Sequence, residues 1–221
     1  MDSLSVLCIL SDMSEGATIQ QPDIPVPNGR RAATRARICK AANRLFFEQG
    51  FALVTMEHIA QAADIRRSTL YLHFGDKDDI LVAIADEYTA KLRPVIASLQ
   101  GPTPTRDEIV LWVARFAEFV STERAATELL VSLSHLAAAP APALQFGHSL
   151  VEMMAQRLPA MARAFEPGNE IERAWEIATM DALAWALCHH ARHGVNALSR
   201  ARLEVAAESL HRFVQGSPHG N

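Results

Sequence analysis

The sequence predicts an all-α chain, in which a small three-helix N-terminal unit precedes a larger helical body. Three observations support this. From Thr34 onward the apolar residues recur with the helical period, and no segment alternates convincingly as a strand. Glycine and proline breakers fall at intervals that leave helical lengths between them. Positive charge is concentrated in one short window and depleted elsewhere. The 221 residues are 49% hydrophobic and 21% charged, which excludes a wholly disordered or low-complexity chain. No run approaches the roughly 18 uninterrupted apolar residues of a membrane span.

The expected elements follow in order. Residues 1–29 contain Pro22, Pro25, Pro27 and Asn28-Gly29 without a sustained period and read as a flexible leader. The apolar run Leu4–Leu10 follows Asp2, and no Lys or Arg precedes Arg30, so it does not read as a secretory signal. Ile38, Ala42, Leu45 and Phe46 share one face of an amphipathic helix that ends at Gly50. Thr55 can cap a second helix carrying Met56, Ile59, Ala60 and Ala63. A tight turn at Asp64-Ile65 leads to a third short helix through Phe74. Asp76 can then cap a segment reaching about Leu99, kinked or frayed at Pro94. Later breakers delimit helices near 105–121, 123–138, 143–165, 170–193 and 199–215, with Pro159 a kink in the third. The expected division is a leader 1–29, a three-helix unit 30–77, a body 78–216 and a tail 217–221.

Net charge is −4, but its distribution matters more. Residues 1–29 carry four acids and no base. Residues 30–77 carry nine bases against four acids, and the rest of the chain is again acidic. A small basic unit joined to an acidic body suggests a polyanion reader attached to something else. Two short helices joined by a turn of about four residues, preceded by a packing helix and rich in Arg, describe a helix-turn-helix. Such a unit places the N-terminal residues of its second helix at base edges. Here those are Arg66, Arg67, Ser68 and Thr69. Arginine can donate two bonds to guanine or pair with phosphate, and threonine can bond either or meet a thymine methyl.

The run Thr34-x-x-Arg37-Ile38-x-x-Ala41-Ala42-x-x-Leu45-Phe46, then Gly50-Phe51-x-x-x-Thr55-x-x-x-Ile59-Ala60, resembles the N-terminal domain of TetR-family transcriptional regulators. The continuation Ala63-Asp64-Ile65-Arg66-Arg67-Ser68-Thr69-Leu70-Tyr71-Leu72-His73-Phe74-x-x-Lys77-x-x-Ile80-Leu81 extends it without a gap. The resemblance implies that Thr55 and Lys77 contact phosphates and that Arg66, Arg67, Thr69, Tyr71 and His73 form the DNA-facing surface. Leu70 and Phe74 would point inward. Arg30, Arg31 and Arg35, ahead of the first helix, would form an arm that touches the duplex or stays solvated. Three positions depart from the family pattern. Asp64 stands where Gly is common and tolerates a left-handed conformation. Arg66 replaces a capping Ser, and His58 leaves no Glu or Gln for a capping box.

The body carries stripes of large apolar residues: Trp112, Phe116 and Phe119; Phe146, Leu150, Met153 and Met154; Trp175 and Trp185. Such stripes are ordinarily core. The resemblance implies instead that some line a small-molecule pocket, with Trp112, Phe116, Phe146, Met153 and Trp175 as expected contacts. His135 and His148 are either polar contacts there or surface histidines. The resemblance also implies a homodimer through residues 170–215. Ala174, Ala178, Ala182 and Ala186, every four positions, would permit close approach of its helices.

Other classes leave weaker traces. Cys8, Cys39 and Cys188 lack CxxC spacing, so neither a disulfide framework nor a cysteine zinc site is expected, and a reducing cytoplasm is the expected location. His189 and His193 lie one helical turn apart beside Cys188 but have no carboxylate nearby to complete a metal site. No Gly-rich phosphate loop, GxSxG or HExxH occurs. Glu152, Glu176 and Asp181 would have to converge to make an all-helical enzyme. The expectation is therefore a dimeric, ligand-responsive repressor of a pseudo-palindromic double-stranded operator. It needs no cofactor, metal or membrane. The alternatives are control by a protein partner or a metal, and an all-helical enzyme.

Overall fold

A computed structural model describes residues 29–99, 101–136 and 139–216. The leader up to residue 28 and the tail 217–221 lie outside the described residues. Ten helices and no strand occur among them: α1 (Gly29–Gln49), α2 (Met56–Ala62), α3 (Arg67–Tyr71), α4 (Lys77–Ala97), α5 (Arg106–Thr122), α6 (Arg124–Ser134), α7 (Ala141–Ala155), α8 (Pro159–Ala164), α9 (Glu170–His193) and α10 (Ala197–Val214).

Local chemistry sets most boundaries. Gly50 ends α1 at φ +86°, where a side chain would be strained, and its N–H donates to Phe46 at 3.0 Å. The Asp76 carboxylate accepts from the Asp79 N–H at 2.8 Å and opens α4. Thr105 and Glu108 form a reciprocal capping box on α5. Asn196 accepts from Ser199 N–H at 2.8 Å and opens α10.

Three expectations are corrected. First, α1 begins at Gly29 and not near Thr34. Arg30 to Ala33 are competent helix formers, and the Thr34 hydroxyl donates to the Arg30 carbonyl at 3.0 Å within the coil. Arg30, Arg31 and Arg35 therefore sit on the helix and form no arm. Second, Pro94 does not interrupt α4. It lies in the last turn, and the coil runs on to Ala97 although Pro94 has no N–H to donate to the preceding turn. Third, the helix expected over 143–165 is two. Pro159 has no N–H to continue α7, so Gln156–Leu158 break the coil and Pro159 starts α8 at its preferred first position.

One apolar core runs through the molecule. Ile38, Leu45 and Phe46 of α1 pack with Ile59 of α2, Leu70, Phe74 and Ile80, all essentially buried. The same α4 that contributes Ile80, Leu81 and Ile84 to this end carries Tyr88, Leu92 and Ile96 into the body. Helix α4 is thus a rigid connection between the two ends. In the body α9 and α10 pack as an antiparallel pair, and α5 lies against both.

Candidate functional site

The first candidate surface is built on α2, the turn and α3. The Thr55 hydroxyl accepts from the His58 N–H at 3.2 Å, and the Thr55 N–H donates to His58 Nδ1 at 3.4 Å. A capping box is therefore present, with imidazole in the place of the Glu or Gln that the sequence lacks. Asp64 takes φ +51° in the turn, the left-handed value that the sequence required of it. The Ile65 N–H donates to the Ala60 carbonyl at 3.0 Å, and Arg37 of α1 donates to the Asp64 carbonyl at 3.2 Å, which fixes the turn against the first helix. Arg66 precedes α3 in an extended conformation and makes no side-chain cap.

These anchors bury Leu70 and leave Arg66, Arg67, Ser68 and Tyr71 exposed on one side, with Thr69 and His73 half-buried beside them. Arg67 lies 5.5 Å from the Tyr71 ring centroid and 3.1 Å from the Glu57 carboxylate. Arg35 donates to the His73 carbonyl at 3.1 Å and stacks 4.1 Å from the Phe74 ring centroid, bracing α1 against the end of α3. His73 is held below the ordinary imidazole value, first by burial and then by Arg31 and Arg35. Lys77 donates to the carbonyls of Phe51 and Ala52 at 2.8 and 3.4 Å. All eight residues expected on the DNA-facing surface thus fall on this end of the molecule. Sequence reasoning missed the Glu57 partner, the brace through Arg35 and the tether through Lys77, because each spans ten or more positions.

The second candidate is an apolar pocket of about 150 Å³ between α4, α5, α6, α7 and α9, open to solvent on one side. Phe116 and Phe146 line it as expected, together with Tyr88, Leu92, Leu150 and Leu187. Trp112 does not. Its indole N–H donates at 2.8 Å to the Val95 carbonyl in the last turn of α4, which also accepts from the Ser98 hydroxyl at 2.7 Å, and the side chain is buried in the core. Trp175 packs edge-on against Phe213 at 5.2 Å and holds α9 to α10. Met153 lines a separate, more polar groove between α4 and α7, which Phe146 also borders. His148 is exposed, whereas His135 reaches the cavity wall and pairs with Asp181 at 2.9 Å. Tyr88, Thr127 and Asp181 were missed, since no stripe or motif marks a polar group that meets its partner only across helices.

Among the described residues no group of three His, Cys, Asp or Glu is arranged to hold a metal ion. Burial places Cys188 in the core and pushes its thiol up to about 11. His189 instead meets Ser199 at 3.3 Å and stacks on His193 with centroids 4.5 Å apart. Glu176 is buried and raised chiefly by burial, with Asp181 adding to it, Asp181 is held by His135, and Glu152 is exposed on α7. Among the described residues no helix is long and apolar enough to cross a membrane.

A three-helix unit with a two-helix turn and a basic outer face, joined to a larger helical body, defines a helix-turn-helix DNA-binding protein. Residues 38–84 match the family model described as bacterial regulatory proteins of the tetR family. Over 165 residues the chain is 30% identical to the HTH-type transcriptional regulator HbdR of Aromatoleum sp. (strain CIB), covering 71% of this chain and 70% of that one. The chain belongs to the tetR family of bacterial transcriptional regulators. Solved structures share its fold. A TetR-like regulator from Rhodococcus sp. RHA1 superposes with a TM-score of 0.63 at 20% identity, covering 84% of this chain and 98% of its own. FadR of Thermus thermophilus, a repressor solved in complex with lauroyl-CoA, superposes with a TM-score of 0.52 at 20% identity, covering 85% and 99%.

Proposed function

We infer that this regulator is a homodimeric repressor that binds a pseudo-palindromic operator and is released by a small apolar ligand. The observation that carries this reading is the continuity of α4. Its first residue, Lys77, is tied to the DNA-facing end, and its Tyr88 and Leu92 line the cavity. A ligand that fits better when α4 tilts would shift the population toward an orientation unsuited to the operator. The lauroyl-CoA in the Thermus FadR structure supports a ligand-bearing role for the body of this fold.

On the DNA-facing end, Arg66, Arg67 and Thr69 would meet base edges. Thr55, Tyr71, His73 and Lys77 would meet phosphate or sugar, with Arg35 bracing the recognition helix. Two copies are needed, because one such short helix reads only a half-site, and half-sites lie about 34–36 Å apart. Helices α9 and α10 supply a self-complementary face. Ile171, Trp185, Leu198 and Val205 are 50–73% exposed there, with Ala174, Ala178 and Ala182 between the large residues. Ala186 points inward, into the core.

The test uses the full-length protein with a duplex selected from random DNA. Sedimentation should show a dimer, and Val205→Asp with Leu198→Asp should yield a folded monomer with strongly reduced operator affinity. A tight-binding monomer would refute the dimer. A cavity ligand that binds equally well with and without saturating operator would refute the release mechanism, because coupling is reciprocal.

A further inference from the structure

The hydrogen-bond directions around the apolar cavity restrict what it can hold. Five polar side chains line it: Tyr88, Thr127, Ser134, His135 and Asp181. Thr127 donates its only hydroxyl proton to the Glu123 carbonyl at 3.0 Å, since a carbonyl can only accept. With the Thr127 proton on that carbonyl, the Tyr88 hydroxyl is the donor to Thr127 Oγ1, 3.0 Å away. Burial pushes the Tyr88 phenol well above its usual value, so that proton stays in place. Ser134 donates to the Val131 carbonyl at 2.9 Å. His135 is engaged at both ring nitrogens, Nδ1 with the Val131 carbonyl at 2.7 Å and with Ser134 Oγ at 3.3 Å, and Nε2 with the Asp181 carboxylate at 2.9 Å. Tyr88, Thr127, Ser134 and His135 are thus each engaged within the protein, while lone pairs on the Tyr88, Thr127 and Ser134 hydroxyls remain.

The remaining wall is hydrocarbon and aromatic ring, with Tyr88 set edge-to-face against Phe146 at 5.5 Å and against Phe119 at 5.2 Å. An apolar pocket of roughly 150 Å³ accommodates a molecule the size of benzene. We propose that the cavity takes a neutral single-ring ligand whose polar end is a hydroxyl, donating to Tyr88 Oη, and that it rejects carboxylates of the same size. This inference rests on the cavity being the effector site. A carboxylate would bring only acceptors to Tyr88 Oη, whose proton is already given to Thr127. Its lost hydration would go unreplaced. A hydroxyl donor finds a buried acceptor at Tyr88 Oη, and a site built this way discriminates strongly against an analogue without the donor.

The experiment titrates full-length protein with p-cresol, toluene and benzoate at neutral pH, by calorimetry and by thermal shift. It is then repeated on Tyr88→Phe, which keeps the ring and removes the acceptor oxygen. The expected order is p-cresol first, toluene weaker by about tenfold or more, and benzoate without binding. In Tyr88→Phe, p-cresol should fall to the level of toluene while toluene is unchanged. Benzoate binding as tightly as p-cresol would overturn the inference and leave the cavity as an effector site. A p-cresol preference that survives Tyr88→Phe would overturn the assignment to Tyr88. Failure of all three compounds to bind at millimolar concentration would overturn the inference and the cavity reading together.

Discussion

The Lys77 ammonium lies 2.8 Å from the Phe51 carbonyl oxygen and 4.8 Å from the centroid of the same residue's ring. The first residue of α4 is thereby fastened to the turn between α1 and α2. With the Ala52 carbonyl at 3.4 Å, two of three ammonium protons are directed inward and one is left for an outside acceptor. A cation held in this way stabilises the fold and, on the proposed reading, presents charge to DNA.

Replacing Lys77 with Met keeps the stem and removes the donor. Unfolding free energy should fall by about 1 kcal/mol in urea titrations. Affinity for all duplexes should fall alike, with a shallower salt dependence. A variant unchanged in stability would show the tether to be idle.

Arg67 and Glu57 are 62% and 65% exposed, so their contact is readily exchanged for a contact to DNA. Arg67→Ala should weaken binding to the preferred sequence by about tenfold or more and relax the preference at one base pair. Glu57→Gln removes an acid from the same surface and should tighten binding to every duplex in fluorescence anisotropy. Weaker binding by Glu57→Gln would mean that the carboxylate positions Arg67.

Glu128 of α6 accepts from Arg124 at 2.8 Å and from Arg192 of α9 at 2.6 Å, with its own side chain only 7% exposed. Burial by itself would raise this carboxyl, but the two guanidiniums, Arg192 foremost, outweigh it and hold the group below its usual value. A depressed folded-state value contributes stability above the unfolded carboxyl value, and that stability is lost as the pH falls through the folded one. Glu128→Leu should lower stability near neutral pH by about 2 kcal/mol and flatten the acid limb of the stability profile. An acid limb identical to the parent's would place that titration elsewhere.

His135 has the opposite sign. Its hydrogen bond to Asp181, then that to the Val131 carbonyl, raise it above the ordinary imidazole value. The stabilisation is complete below about pH 6.5 and fades as the pH rises through the folded-state value. Because both partners are partly solvated, the effect is modest. Thermal melts should show a small loss of stability above neutrality that Asp181→Asn abolishes. Retention of the same pH slope in Asp181→Asn would remove this pair as its source.

The DNA-facing end was legible in the sequence because its chemistry is local. Thr55, the Asp64 turn and the short helix with Arg66 to Thr69 are set by capping, a left-handed residue and apolar spacing within a few positions. The start of α1 was missed because Arg-rich first turns lack an apolar stripe, and period was the signal being read. The pocket was legible only as a class of residues. Trp112, Phe116, Met153 and Trp175 are equally large and apolar, and whether each faces a void, a neighbour or a groove depends on five helices meeting at once. The sequence alone determined an all-α chain with an N-terminal helix-turn-helix, because periodicity and turn residues act through neighbours in the chain. Tertiary structure alone decided which carbonyl holds Lys77, which carboxylate faces Arg67 and which hydroxyl meets Tyr88, because hydrogen-bond partners are fixed by distances that only packing creates.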